Sequence, residues 1–324
     1  MDFKQLRAFM TIADTGNVTR AAELLNLVQP AVSRQLRLLE EDVGVELFQR
    51  ERHGMVLTAA GTSLLIHARR AMLELDRGRA QIGSAGLVAG IVTVGLLPST
   101  SDMLASALVH AVARTYPGVR LRIAMGYAGT LQQWLEVGEI DAAILYGVEQ
   151  APQIQGTPLL EEPLWVVGPT SAKFRPQRPV SLASLVGLPM ILPSGPRGIR
   201  TLVDHACAVS NVTLSIATET NAMSIQKSLV LGGHGLTILP PIAFAHELAN
   251  RQVSAAPLKN PRIARTIVLA LPANRSIGQH VRGTVELLVQ CAHQAVSRGE
   301  WLQAKWIGER MGAISPRSVT SLDD

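Results

Sequence analysis

Residues 17–43 read NVTRAAELLNLVQPAVSRQLRLLEEDV. Asn17 can cap a helix running from Val18 to Leu25, with Ala21, Ala22, Leu24 and Leu25 apolar. Asn26-Leu27-Val28 make a short turn. A second helix starts near Gln29-Pro30, where proline is tolerated because a first-turn N–H would be unpaired anyway. At the helical period, Val32, Leu36, Leu39 and Val43 share one face, and Pro30, Ser33, Arg34 and Arg37 share the opposite one. Gln29 stands at the N-terminal tip. Two short helices joined by a tight turn describe a helix-turn-helix, whose second helix can carry side chains that read bases. Gln pairs with adenine, Arg with guanine, and Ser with a base or a phosphate. Thr19 and Arg20, in the first turn of the first helix, join Gln29, Pro30, Ser33, Arg34 and Arg37 as candidate DNA contacts. An ordinary helical hairpin with a solvated polar face has the same pattern, so the neighbouring residues must choose between the two.

They favour DNA. Glu46–Arg50 and Met55–Thr58 read as two short strands around a turn holding Arg52, His53 and Gly54. Such a wing puts Arg50 and Arg52 where a phosphate or the minor groove is met. The match then becomes specific. Leu6 and Phe9, Ala21-Ala22-Glu23-Leu24-Leu25, Gln29-Pro30-Ala31-Val32-Ser33-Arg34-Gln35-Leu36, Leu39-Glu40, Gly44, Leu47-Phe48, Arg50 and Leu57-Thr58-Ala59-Ala60-Gly61 together resemble the LysR-type transcriptional regulators. The resemblance implies a winged helix-turn-helix whose second helix enters the major groove, with Gln29, Pro30, Ser33 and Arg34 near bases. Val28 departs from it by standing where such proteins often carry a capping Ser, which predicts a weaker helix start.

Thr58 can cap a long helix reaching about Ile82. Leu65, Ala68, Met72, Leu75, Arg79 and Ile82 follow spacings of three and four, a seam for a partner helix. The same seam could pack on its own domain, but a lone helix between two domains would leave it wet. The resemblance implies that this helix pairs two protomers, giving a homodimer that presents two heads to a roughly palindromic site on double-stranded DNA, with a tetramer as the larger option. RNA polymerase is a further candidate partner.

Beyond Gly90, short β-branched runs alternate with helical stretches, as βαβ units do. Strands are expected at 91–97, 119–125, 141–145, 164–168, 190–192, 214–217, 236–239 and 266–270. Helices are expected at 102–116, 130–137, 199–210, 222–231 and 276–297. The expected fold class is α/β with an all-α-like winged helix-turn-helix head, a long linker helix and two Rossmann-like α/β subdomains resembling solute-binding proteins. The head takes residues 1–58, the linker 59–89, an effector-binding domain 90–300 and a C-terminal tail 301–324. Within the effector-binding domain, 90–162 and 266–300 form one subdomain and 163–265 the other.

In open α/β sheets, ligands sit beyond the carboxyl ends of strands, beside helix starts. The candidates at such places are Ser99, Thr100 and Ser101; Tyr127, Gly129 and Thr130; Tyr146; Ser194 and Arg197; and Thr220 and Asn221. Each hydroxyl or amide could equally be a plain helix cap. The set, with the resemblance, implies a cleft for a small polar or anionic effector, with Arg197 able to pair with a carboxylate. Short stretches at 199–206 and 271–273 are similar to the nitrogen-assimilation-control branch of the family, which leaves open whether an effector is needed.

The rest of the sequence bounds this reading. The 324 residues are 47% hydrophobic and 17% charged, enough apolar material for two or three domains at ~100–200 residues each. Two cysteines, Cys207 and Cys291, exclude a disulfide-rich scaffold. Ala80–Ser101 runs 22 residues without a charge. Its glycines and Pro98 mark a linker and a buried strand rather than a membrane span. Residues 1–13 show no signal-peptide pattern, so a cytoplasmic, membrane-free protein is expected. There is no phosphate-binding loop and no metal-ligand helix motif, so no cofactor, no metal site and no enzymatic activity are expected. His205 and Cys207, like Cys291 and His293, stand two apart on a helix and point in different directions. A small-molecule binding protein whose head contacts other proteins is the alternative. The net charge of +5 does not arise in the head: residues 1–92 hold 11 basic and 10 acidic residues, residues 250–324 hold 10 and 5.

Overall fold

The computed structural model describes residues 1–52, 54–82, 88–147, 152–195, 198–273 and 277–308. The head opens with α1 (Phe3–Thr15), which starts in a capping box between Asp2 and Gln5 and stops at Gly16. α2 (Val18–Leu25) is capped by Asn17, whose side chain accepts from the Thr19 and Arg20 amides at 2.8 and 3.1 Å. Asn26 ends α2 in the left-handed region, and α3 (Gln29–Val43) follows after Leu27-Val28. The strands β1 (Phe48–Glu51) and β2 (Gly54–Leu57) pair antiparallel, Phe48 opposite Leu57.

Three helices alone could not hold a wing in place; the core and one close backbone contact do so. Phe9, Ile12, Ala21, Val32, Leu39, Leu47 and Phe48 are buried together, with Phe9 and Phe48 edge to face at 5.5 Å. The Met55 amide donates to the Gly16 carbonyl at 2.8 Å, which ties β2 to the end of α1. Gly54 sits at φ 137°, and a Cβ there would lie 2.4 Å from the Gly16 oxygen, so only glycine fits.

α4 (Ala59–Ile82) is the long helix, and the Thr58 hydroxyl caps it by accepting from the Gly61 amide at 2.9 Å. Its expected seam divides. Ala68 is buried in the head core, and Leu64 and Leu65 pack against it, so the first half of the seam is covered by the protein's own head. Ile66 and Leu75 stay exposed. The seam positions Arg79 and Ile82 carry side chains outside the described set. Arg69 pairs with Asp14 of α1 and, at 3.4 Å, with Glu139, linking head, linker and the following domain.

The remaining chain forms two sheets, each with its own core. β3 (Ala89–Leu96), α5 (Pro98–Thr115), β4 (Gly118–Met125), α6 (Ala128–Val137), β5 (Ala142–Leu145) and β6 (Ile154–Pro163) begin the first. β7 (Trp165–Pro169), β8 (Val180–Ser181), β9 (Pro189–Pro193), α7 (Ile199–Val209), β10 (Ser215–Thr220), α8 (Met223–Leu231), β11 (Thr237–Leu239), α9 (Ala245–Ala249) and β12 (Val253–Lys259) make the second. β13 (Ala264–Pro272), α10 (Gln279–Ser297) and β14 (Lys305–Trp306) return to the first. The first sheet is ordered β14-β6-β13-β5-β3-β4, parallel at β4-β3-β5 and antiparallel across β13. In the second, β11-β7-β12-β8 is joined to β10-β9 through a bridge from Met190 to Leu236. The chain passes between the sheets at Leu164 and again at Ile263, where the Leu164 amide donates to the Ile263 carbonyl at 2.8 Å.

Several elements differ from the sequence expectation. α5 starts at Pro98, so Ser99–Ser101 form its first turn rather than a preceding loop. β6 and β12 were not expected. β6 carries Pro158 inside the strand, with a register break opposite, between Ile267 and Val268, and β12 is built on Ser254-Ala255-Ala256-Pro257. Neither reads as a strand by propensity. Trp301, placed in the tail from sequence, is 1% exposed within the first core, and β14 pairs with β6, so residues 301–308 belong to the fold. The buried run of β3 occupies the end of the uncharged stretch 80–101. Among the described residues, no helix is long and apolar enough to cross a membrane.

Candidate nucleic-acid interface and inter-sheet cleft

The polar face of α3 and the outer edge of β1 form one groove. Pro30, Ser33, Arg34 and Arg37 line it from the helix, and Gln49 and Arg50 from the wing. Burial of Val32, Leu36 and Leu39 underneath turns these polar residues outward. Arg34 and Arg50 are exposed, and Arg37 leans on Glu41 at 3.5 Å. Thr19 and Arg20 are exposed at the start of α2, outside this groove, with Arg20 held by Glu23 at 3.3 Å. Gln29 is exposed at the tip of α3, and Arg52 is exposed at the tip of the wing. Val28 gives α3 no side-chain cap.

Between the two sheets lies a cavity of about 390 Å³. This falls within the ~300–1,000 Å³ usual for small-ligand sites. Ser99, Tyr127, Gly129, Thr130 and Tyr146 line it from the first sheet's side; Ser194 and Asn221 line it from the second. Three expected residues do not reach it. Thr100 is fully buried and donates to the Leu97 carbonyl at 3.1 Å; Ser101 donates to the Pro98 carbonyl at 3.1 Å; Thr220 accepts from the Ala222 amide at 3.2 Å. Their hydroxyls satisfy helix ends instead of facing the cleft. Arg197 lies outside the described residues. The nearby Arg200 is committed to Asp204 at 2.8 Å, Glu219 at 2.5 Å and the Pro193 carbonyl. Its hydrogen bond to Glu219, and next that to Asp204, push its already high pKa further up.

Other residues in the cleft were not foreseen. Arg265 lines the cavity and is buried, its side chain 3% exposed. Its Nε donates to Glu162 at 2.7 Å and its Nη2 to the Ser99 hydroxyl at 2.8 Å, with its guanidinium 4.6 Å from the centre of the Tyr146 ring. Trp301 donates to the second oxygen of Glu162 at 2.9 Å. Gln226 also faces the cavity and bonds Thr237 at 3.1 Å. A signal for Arg265 did exist, since it is the single charge in the run 263–272. Its carboxylate partner stands 103 residues away, which no local pattern links. The cleft is also bridged: Tyr127 Oη accepts from the Met223 amide at 2.7 Å, and a Cβ on Gly198 would lie 2.7 Å from the Tyr146 hydroxyl.

A winged helix-turn-helix joined through one long helix to a two-lobed α/β unit with a cleft is the architecture of a DNA-binding transcriptional regulator. Residues 3–62 match the family model for the bacterial regulatory helix-turn-helix protein of the lysR family, and residues 85–292 match the LysR substrate binding domain. The chain therefore belongs to the LysR family of transcriptional regulators. It is similar to the HTH-type transcriptional regulator BbuR of Bordetella bronchiseptica, 30% identical over 302 residues and covering 93% of either chain. It is similar also to the nitrogen assimilation regulatory protein nac of Escherichia coli, 25% identical, covering 93% of this chain and 99% of that one. Full-length CbnR, solved in complex with its target DNA, shares the fold with a TM-score of 0.67 and 23% identity, covering 91% of this chain and 100% of that one.

Proposed function

We propose that this regulator binds a roughly palindromic promoter site as a homodimer, and that a small polar or anionic effector in the cleft changes how its paired heads engage that site. The observation that carries the DNA reading is the single groove gathering Pro30, Ser33, Arg34 and Arg37 of α3 with Arg50 of β1. Ser33 and Arg34 read bases together with Gln29, while Arg50 and Arg52 hold phosphate or the minor groove. Thr19, Arg20 and Arg37 contribute backbone contacts. The second half of the α4 seam, exposed at Leu75, is the surface offered to a second protomer, and pairs of dimers would give the tetramer. The functional division is a head to residue 58, a linker to 89 and an effector-binding unit from 90, with RNA polymerase as a partner in the cytoplasm and no enzymatic activity.

For the cleft, the support is its size and its polar lining by Ser99, Tyr127, Thr130, Ser194 and Asn221 around the neutralised Arg265. An effector that binds one relative placement of the two sheets better than another shifts the population toward it. A gel shift on the DNA upstream of the protein's own gene tests the first claim: a salt-sensitive specific complex is expected, and its absence at every concentration sinks it. Arg34→Ala should relax sequence discrimination, whereas Arg50→Ala should weaken binding uniformly. Equal losses on specific and random DNA for Arg34→Ala contradict the role given to it. Thermal-shift screening of small carboxylates, amino acids and inorganic anions tests the second claim, and no stabilisation by any of them removes it.

A further inference from the structure

The start of α3 combines three features that do not belong together on an ordinary protein surface. Val28 occupies the N-cap position, where β-branched apolar residues are among the poorest choices. It is 69% exposed, beside Leu27 at 50% and Leu24 at 60%. It also sits at the end of the helix that enters the major groove first when a helix-turn-helix docks. One exposed valine is unremarkable by itself. Here the exposed valine caps the leading tip of a DNA-reading helix, and Leu27 of the turn and Leu24 of α2 are exposed with it.

The local backbone explains why a polar cap can be dispensed with. A capping hydroxyl accepts from the second or third helical amide. Here the second position is Pro30, which has no N–H, and the third, Ala31, already donates to the Val28 carbonyl at 2.9 Å. Little is left for a hydroxyl to satisfy, so position 28 is free to be chosen for what it meets outside the protein. In the major groove, the apolar group presented by a base pair is the thymine 5-methyl.

We infer that Val28 is a specificity-determining residue that packs on a thymine 5-methyl group in each half-site of the operator. This rests on the DNA reading above and deepens it. Covering one methyl group corresponds to about four-fold in affinity per half-site, and about fifteen-fold when both half-sites are changed.

The test uses the full chain and an operator selected from random duplexes. Each thymine is replaced in turn by deoxyuridine, which removes the methyl and keeps the pairing. Wild-type protein should lose about four-fold at one thymine per half-site. Val28→Ala should bind the unmodified operator correspondingly more weakly and be indifferent to deoxyuridine at that position, with an unchanged melting temperature. If no thymine is sensitive, or if Val28→Ala keeps the full deoxyuridine penalty, the inference is overturned while the operator reading stands. If selection returns no preferred duplex at all, the operator reading falls and the inference with it.

Discussion

Replacing Arg265 by Met is the most demanding perturbation this structure offers. Arg265 at the start of β13 stands opposite Glu162 near the end of β6, next to the two points where the chain changes sheets. The Glu162 side chain is 0% exposed, and it is satisfied by Arg265 and by the Trp301 indole. Methionine removes the guanidinium but leaves the carboxylate in an apolar surround with one donor. Breaking a buried pair from one side costs about 3–5 kcal/mol, whereas removing both charges is often close to neutral. With a urea slope of roughly 2–3 kcal/mol per molar, the unfolding midpoint of this half should fall by about 1–2 M. The double variant Arg265→Met with Glu162→Gln should regain at least about 2 kcal/mol of that loss, because the amide can still accept from Trp301 and no charge is left stranded. Urea unfolding followed by tryptophan fluorescence measures both. A midpoint shift of Arg265→Met worth under about 1 kcal/mol, or a double variant as weak as the single one, refutes the reading that Glu162 is a buried carboxylate dependent on Arg265.

Three further outcomes can be checked directly. Gly54→Ala forces a Cβ against the Gly16 carbonyl at a φ of 137°, so the head should lose about 1–3 kcal/mol in its thermal transition, and an unchanged transition contradicts the contact. Tyr127→Phe removes the acceptor of the Met223 amide, a bond worth about 0.5–1.5 kcal/mol, so exchange of that amide measured by NMR should accelerate several-fold; unaltered exchange means the bridge does not form in solution. Burial raises the thiol pKa of Cys207, to which the charge of Asp204 adds, and burial raises that of Cys291. Both should therefore alkylate with iodoacetamide at pH 7.5 more slowly than free glutathione, and faster reaction contradicts their burial. The sign for stability follows from the same shift. The folded state holds these thiol protons more tightly, so the contribution is complete below about pH 9.0, the ordinary thiol value, and is lost as pH rises through the folded value.

What could be read without the structure was what local rules govern. The alternation of Val32, Leu36 and Leu39 with Ser33, Arg34 and Arg37 already separates core from surface on α3, because helical period alone decides which side chains share a face. Asn17 and Thr58 act as caps, as their positions predict. In the cleft the same local logic was ambiguous. Ser99, Thr100 and Ser101 are adjacent hydroxyls with similar prospects, yet only Ser99 reaches the cavity, because α5 begins at Pro98 and turns the other two onto backbone carbonyls. β6 was invisible for a related reason. Its Pro158 forfeits a ladder bond, and the strand exists because β13 and β14 flank it.

The amino-acid sequence by itself determined the family, the winged head, the reading face of α3 and the βαβ character of the remainder, since periodicity, capping residues and turn residues act over a few positions. It also showed that the basic excess lies outside the head, so the arginines there matter by placement and not by number. Tertiary structure decided everything that depends on residues distant along the chain. It joined Arg265 to Glu162, Ser99 and Trp301, brought Tyr127 to the start of α8, and laid the first half of the α4 seam on the protein's own head. A buried charge or an apolar stripe announces that it needs a partner; only the packed chain supplies which one, because that choice is made by the closure of long loops.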